Sequence, residues 1–142
     1  MSDLPAWCVS HQRHGCPTCT TANPKDLIGV TKTPALSVVP AASLLYEAQA
    51  MRDGARKYGA YNWREHPVRA SIYIDACVRH LMAWYDGEAV ASDSGQPHLG
   101  HAKACLGILA DAIETGNLVD DRPTPGPAAA LLERYKVQGP GK

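Results

Sequence analysis

Residues Ile74 to Glu114 read IDACVRHLMAWYDGE, then AVASDSGQ, then PHLGHAKACLGILADAIE, and they predict two helices joined by a polar loop. On the second helix Leu99, Ala102, Leu106, Leu109 and Ile113 recur at helical spacing, and His98, His101 and Cys105 fall on or beside that stripe. Two imidazoles are therefore expected to face inward. Pro97 suits a first helical position, which puts both histidines in the first turn, where the positive end of the helix dipole disfavours an imidazolium. Neutral imidazole is the form that binds metal. Asp86, Glu88, Asp93 and Ser94 crowd the loop just before, so acids and imidazoles converge at one end of the helix pair. The same pattern also fits two half-buried histidines that simply hydrogen-bond their neighbours.

Working outward, a helix from about Ala70 to Asp86 is expected to bury Ile74, Cys77, Val78, Leu81 and Tyr85. Asp75 and Arg79 stand one turn apart, the spacing of an ion pair. His80 lies roughly 140° round from Asp75, near Tyr73 and Trp84, so these two are poorly placed to chelate one ion. Upstream, Ala41 to Tyr58 predicts a helix with Leu44, Ala48, Met51, Ala55 and Tyr58 on one face and Glu47 on its flank. Gly54 costs about 1 kcal/mol against alanine in a helix interior, which close approach of a ligand or backbone would explain. Gly59 is a natural C-cap, and Asn62, Trp63 and Arg64 follow in a loop before Pro67. Arg56, Lys57 and Arg64 gather three cations at one helix end. They fit either compensation of the helix dipole or a polyphosphate clamp with Trp63 or Tyr61 stacking a base.

The two ends differ from this middle. Residues 1–23 contain WCVSHQRHGCPTC, in which Cys8, His11, Cys16 and Cys19 make C-x2-H-x4-C-x2-C. Such a set matches a closed structural zinc site, in a segment too poor in apolar residues to fold otherwise. His14 can replace His11, and a redox Cys-x-x-Cys is the other reading. Residues 24–40 read as an extended lead-in. After Gly116 the sequence GNLVDDRPTPGP breaks the helix, a short helix is expected over Ala128 to Tyr135, and VQGPGK frays. The organisation expected is a zinc-binding segment over 1–23, a helical domain over 24–116, and a Pro/Gly-rich tail over 117–142.

At 142 residues the chain suits one domain with a modest core. Lys and Arg total 14 against 14 for Asp and Glu, a balance that does not ask for nucleic acid or an anionic membrane. No apolar run approaches membrane-spanning length, and MSDLPAWCVSH lacks the basic and apolar regions of a secretory signal, so a cytoplasmic location is expected. Five cysteines is an odd count for a disulfide framework, and three of them cluster near histidine, which in a reducing compartment favours metal; with no Phe, the core is expected to rest on Leu, Ala, Val, Ile, Tyr and Trp.

The strings KTPALSVVP, GARKYGAYNWRE, YIDACVRHLMAWYDGE and DSGQPHLGHA, from Lys32 to the second helix, resemble the phage dATP/dGTP diphosphohydrolase family. The motifs KYG-x2-NWR, RHL-x2-W and SG-x-PHL-x-HA carry the resemblance together. It implies an all-α, metal-dependent hydrolase that converts purine deoxynucleoside triphosphates to monophosphates and pyrophosphate in phage nucleotide metabolism, within the host cytoplasm. The Glu-x-x-Glu and Glu-x-x-Asp pairs of the wider MazG-like enzymes are missing: Ala50 follows Glu47 by three, and Asp111 and Glu114 fall on a polar face. Magnesium or manganese would then be held by Glu47, Glu88, Asp93, His98 and His101. Lys57, Arg64 and Arg79 would stabilise the leaving pyrophosphate, with Asn62 also in the catalytic set and Glu47 or His80 as the base. Three main helices cover each other poorly, so the small bundle is expected to be completed by its terminal helix or in a homo-oligomer. The alternative function is a zinc-dependent adaptor that binds a protein or single-stranded nucleic acid.

Overall fold

The computed structural model describes residues 7–8, 13–14, 24–29, 32 and 36–136. The chain divides into two compact units, 1–41 and 42–142. In the first, the two-residue strand β1 (Trp7–Cys8) pairs antiparallel with β2 (Arg13–His14), with Trp7 opposite His14 and Cys8 opposite Arg13. The side chains of Cys8, His11, Cys16 and Cys19, and so the zinc expectation, lie outside the described residues. The extended lead-in expected after residue 23 is instead a short helix, α1 (Pro24–Gly29), and a single 3-10 turn, Leu36–Val38. Pro24 opens α1, where its fixed φ is already helical and its missing N–H has no intrahelical partner to lose.

The second unit is mostly helical. Helix α2 (Ala41–Tyr58) has the predicted bounds and stops at Gly59, which takes φ 92° while its N–H donates to the Ala55 carbonyl at 3.0 Å. Asn62–Glu65, expected as loop, forms one helical turn, α3. Tyr61 makes this possible by reversing the chain at φ 58°, and His66 is extended as a residue before proline must be. Then follow strand β3 (Val68–Arg69), α4 (Ala70–Tyr85), α5 (His98–Glu114), strand β4 (Leu118–Val119) and α6 (Ala128–Arg134). Strands β3 and β4 run parallel, Val68 opposite Leu118 and Arg69 opposite Val119, so the chain leaving α5 is tied to the start of α4. Asp121, just beyond β4, accepts from the Ser71 N–H at 2.9 Å and the Ser71 hydroxyl at 2.6 Å, capping α4 from a distance of fifty residues in sequence. No helix among the described residues is long and apolar enough to cross a membrane.

The helices α4 and α5 pack most extensively on each other, and apart from His98 the buried residues they carry are small: Ala70 and Cys77 on one, Gly100, Ala102, Ala104 and Ala112 on the other. This corrects the stripe of large residues. Leu106, Ile113, Ile74, Val78, Leu81 and Tyr85 are all exposed, because the side chains that let two backbones approach closely are the short ones. Close approach also marks α2 against α5, at Gly100 and Gly107. A Cβ on Gly100 would run into the Tyr46 carbonyl, and one on Gly107 would sit 2.6 Å from Glu47 Oε1. Gly54, where close contact was expected, has nothing near its missing Cβ. The largest fully buried side chain, Val68, joins Trp63 and Ala112 in a cluster backed by Met51, Tyr73, Ile108, Leu109 and Leu118.

Candidate functional site

Around that cluster the polar groups are all answered. Asp111 accepts from Trp63 Nε1 at 2.7 Å and, in a two-pronged contact, from Arg64 Nε at 2.8 Å and Nη2 at 2.7 Å. The guanidinium and the indole N–H together hold the Asp111 carboxyl at about 2, well below its ordinary value. Arg64 also lies over the Tyr61 ring, 4.8 Å from its centre. The expected leaving-group cation Arg64 is thus engaged as a structural partner, and Trp63, 8% exposed and with its N–H bonded, sits in the core at the wall of the cleft described next.

The other cations face a different place. A cleft of about 350 Å³ opens between α2, α4 and α5, lined by Asp53, Lys57, Tyr58, Asn62, Tyr73, Arg79, His80, Asp93 and His101 among others. Lys57 Nζ lies 2.7 Å from Asp53 Oδ2 and 4.0 Å from Asp93 Oδ2, bridging α2 to the loop before α5. Asp53 is buried, and its hydrogen bonds to Lys57 and Arg56 keep its carboxyl below the ordinary range while raising Lys57 in turn. Sequence reading passed over Asp53; its signal is the spacing of Asp53, Arg56 and Lys57 on the face that also carries the buried Ala50. The expected ion pair between Asp75 and Arg79 does not form, and Arg79 has no acidic partner among the described residues, so its guanidinium is available to the cleft.

Three imidazoles meet at one end of this cleft. His80 on α4 stacks against His101, ring centres 4.5 Å apart and planes 11° from parallel, and its Nδ1 lies 2.8 Å from His98 Nδ1. His101 Nε2 is 2.8 Å from the Ser94 hydroxyl, and Ser94 also accepts the Gln96 N–H at 3.2 Å. Burial lowers the pKa of both His80 and His101, and the neighbouring imidazoles lower His80 further, so both are neutral near pH 7. The His98 side chain is only 7% exposed; Glu88 Oε2 stands 3.4 Å from its Nε2, off the line a hydrogen bond needs. Cys105, beside them in the cleft, has its thiol pushed up to about 11 by burial and is not a ready nucleophile.

The five residues expected to share a metal are dispersed. Glu47 pairs with Lys103 at 2.9 Å, which also reaches the Ser43 carbonyl at 3.3 Å, and Glu47 does not line the cleft. Glu88 faces His98, whereas Asp93 and His101 face the cleft. Among the described residues no group of three or more His, Cys, Asp or Glu is placed to hold a metal ion by itself.

No curated protein and no solved structure is significantly similar to the chain. Residues 22–122 match a family described as dATP/dGTP diphosphohydrolase, N-terminal. The match spans all the elements that build the cleft, and the chain belongs to that family.

Proposed function

We propose that the chain hydrolyses purine deoxynucleoside triphosphates to the monophosphate and pyrophosphate, with a divalent metal ion, in phage nucleotide metabolism within the host cytoplasm. The observation that carries this reading is the cleft, which brings Lys57, Arg79, His80 and Asp93 together with the aromatic rings of Tyr58 and Tyr73. Its volume of about 350 Å³ lies within the range of small-molecule sites. Tyr58, which is 71% exposed, is assigned the base-stacking role expected of Trp63 or Tyr61.

The dispersed acids fit magnesium better than a preformed transition-metal cage. Magnesium keeps several waters and is usually bound by one or two carboxylates plus the substrate's phosphates. Asp93, which lines the cleft and is largely exposed, is the carboxylate assigned to it. Bound there with the nucleotide, the ion supplies charge neutralisation at the phosphates and a more acidic water. Arg79 and Lys57 bind the outer phosphates and stabilise the charge that builds on the pyrophosphate as the bond from the α-phosphorus to the bridging oxygen breaks. His80 Nε2 takes the proton of the attacking water, whose oxygen forms the new bond to the α-phosphorus. The exposed Ile74, Val78, Leu81 and Tyr85 support a homo-oligomer, and the cysteine segment is assigned a structural zinc.

Arg79→Ala decides the reading, because it breaks no ion pair and leaves the fold untouched. Pyrophosphate release from dATP and dGTP is expected to fall at least about a hundredfold at unchanged melting temperature. Inorganic phosphate as the first product, or full turnover in Arg79→Ala, overturns it.

A further inference from the structure

His80 and His98 present Nδ1 to Nδ1 at 2.8 Å, so one nitrogen of the pair carries a proton and the other a lone pair. Two arrangements satisfy that contact. If His98 donates, its Nε2 must be bare in the neutral ring, and a buried lone pair would then face the half-exposed Glu88 carboxylate from 3.4 Å. If His80 donates, His98 carries its proton on Nε2 and presents a positive N–H edge to the same carboxylate. The sign of the Glu88 charge selects the second arrangement, and burial makes the choice matter, since little water reaches His98 Nε2 to screen it. His101 contributes by stacking on His80 at 4.5 Å and being tied through Nε2 to Ser94, which fixes the plane of the pair.

We propose that Glu88 and His98 form a relay that locks His80 in the Nδ1–H tautomer, leaving its Nε2 lone pair to the cleft as a preoriented proton acceptor. Glu88 and His98 are positioning residues; His80 is the group that meets the water. Both His80 and His101 line the cleft while His98 does not, as the relay requires. A histidine with Nδ1 committed to an acceptor and Nε2 facing a reaction site is the arrangement that lets a neutral imidazole take a proton without first rotating. The base role rests on the proposed hydrolysis, whereas the tautomer does not.

Long-range proton–nitrogen correlation spectra of the full chain, labelled on histidine, read each tautomer without any substrate. In wild type, His80 is expected to be protonated on Nδ1 and His98 on Nε2. His98→Asn places an amide oxygen near the lost Nδ1 and should keep the His80 tautomer, whereas His98→Ala should release it. Pyrophosphate release should follow the same order: kcat falls about ten- to a hundredfold in His98→Ala and recovers in His98→Asn, with KM unchanged. Circular dichroism of the two variants separates this from unfolding. His80 protonated on Nε2 in wild type, or a His98→Ala variant with wild-type tautomer, overturns the relay. The expected tautomers with no dNTP turnover in wild type would leave the relay standing and remove the hydrolase reading.

Discussion

The two ends of α5 solve opposite problems. Near its C-terminus, Trp63, Val68 and Ala112 exclude water, and every polar group beside them has a partner: Asp111 takes three hydrogen bonds from Trp63 and Arg64, and Asn117 Nδ2 donates to the Trp63 carbonyl at 3.0 Å. At its N-terminus, three imidazoles are pressed together, protonation of His80 and His101 is disfavoured, and a buried nitrogen of His98 has no hydrogen bond. The first arrangement lowers free energy wherever it is placed; the second is retained only if something other than stability depends on it. One helix carries both, so the packed end fixes where the histidine end sits.

Three changes break or sharpen this contrast. The largest effect is expected from Trp63→Ala, which opens the cluster and removes one of the three hydrogen bonds to Asp111: stability should fall by about 3–5 kcal/mol in urea unfolding. A loss below about 1 kcal/mol would mean that the hub does not carry the fold. Next comes Gly100→Ala, between His98 and His101 in the first turn of α5, where a methyl would strike the Tyr46 carbonyl, and backbone cannot step aside as a side chain can. The gain in helix propensity should be outweighed by overpacking of about 1–3 kcal/mol, measured as a lower unfolding midpoint. A midpoint at or above wild type would show that α2 and α5 separate freely there.

The smallest effect is acid sensitivity at the hub. The Arg64 guanidinium and the Trp63 N–H hold the Asp111 carboxyl at about 2 in the folded chain against an ordinary value of 3.8, so the folded state favours its ionised form. Its contribution to stability is therefore complete above about pH 4 and is lost as pH falls from there towards 2. Asp111→Asn should be less stable than wild type at neutral pH, with the difference narrowing over that window when unfolding midpoints are compared. A constant difference from pH 6 to pH 2 would contradict the assignment.

Much of this molecule is legible in its sequence, and the rest is hidden for identifiable reasons. Ala41–Tyr58 could be bounded because Pro40 precedes it and Gly59 caps it, and His98–Glu114 because Pro97 starts it and Gly116 ends it. Inward-facing histidines also followed from spacing. What misled was side-chain size. Apolar periodicity weights leucine and isoleucine, whereas the buried positions of α4 and α5 are, apart from His98, alanine, glycine and cysteine, so the stripe of large residues does not mark what is buried. Spacing along one helix also could not reveal that His80, dismissed as a partner for Asp75, meets His98 and His101 across a helix pair. Nor could it show that Arg64 is bound to Asp111, forty-seven residues away, while Arg79 is not engaged.

The remote cap on α4 has a consequence for where this protein can be cut. Ser71 receives its carboxylate from Asp121, and β3 its partner from Leu118 and Val119, so the segment that looks like the start of a loose tail completes the front of a helix begun fifty residues earlier. A chain ended directly after α5 would lose both, although no residue of α4 or α5 had been touched. The family match runs to residue 122, one position past that aspartate. A form of the helical unit that keeps this cap therefore extends at least to Asp121.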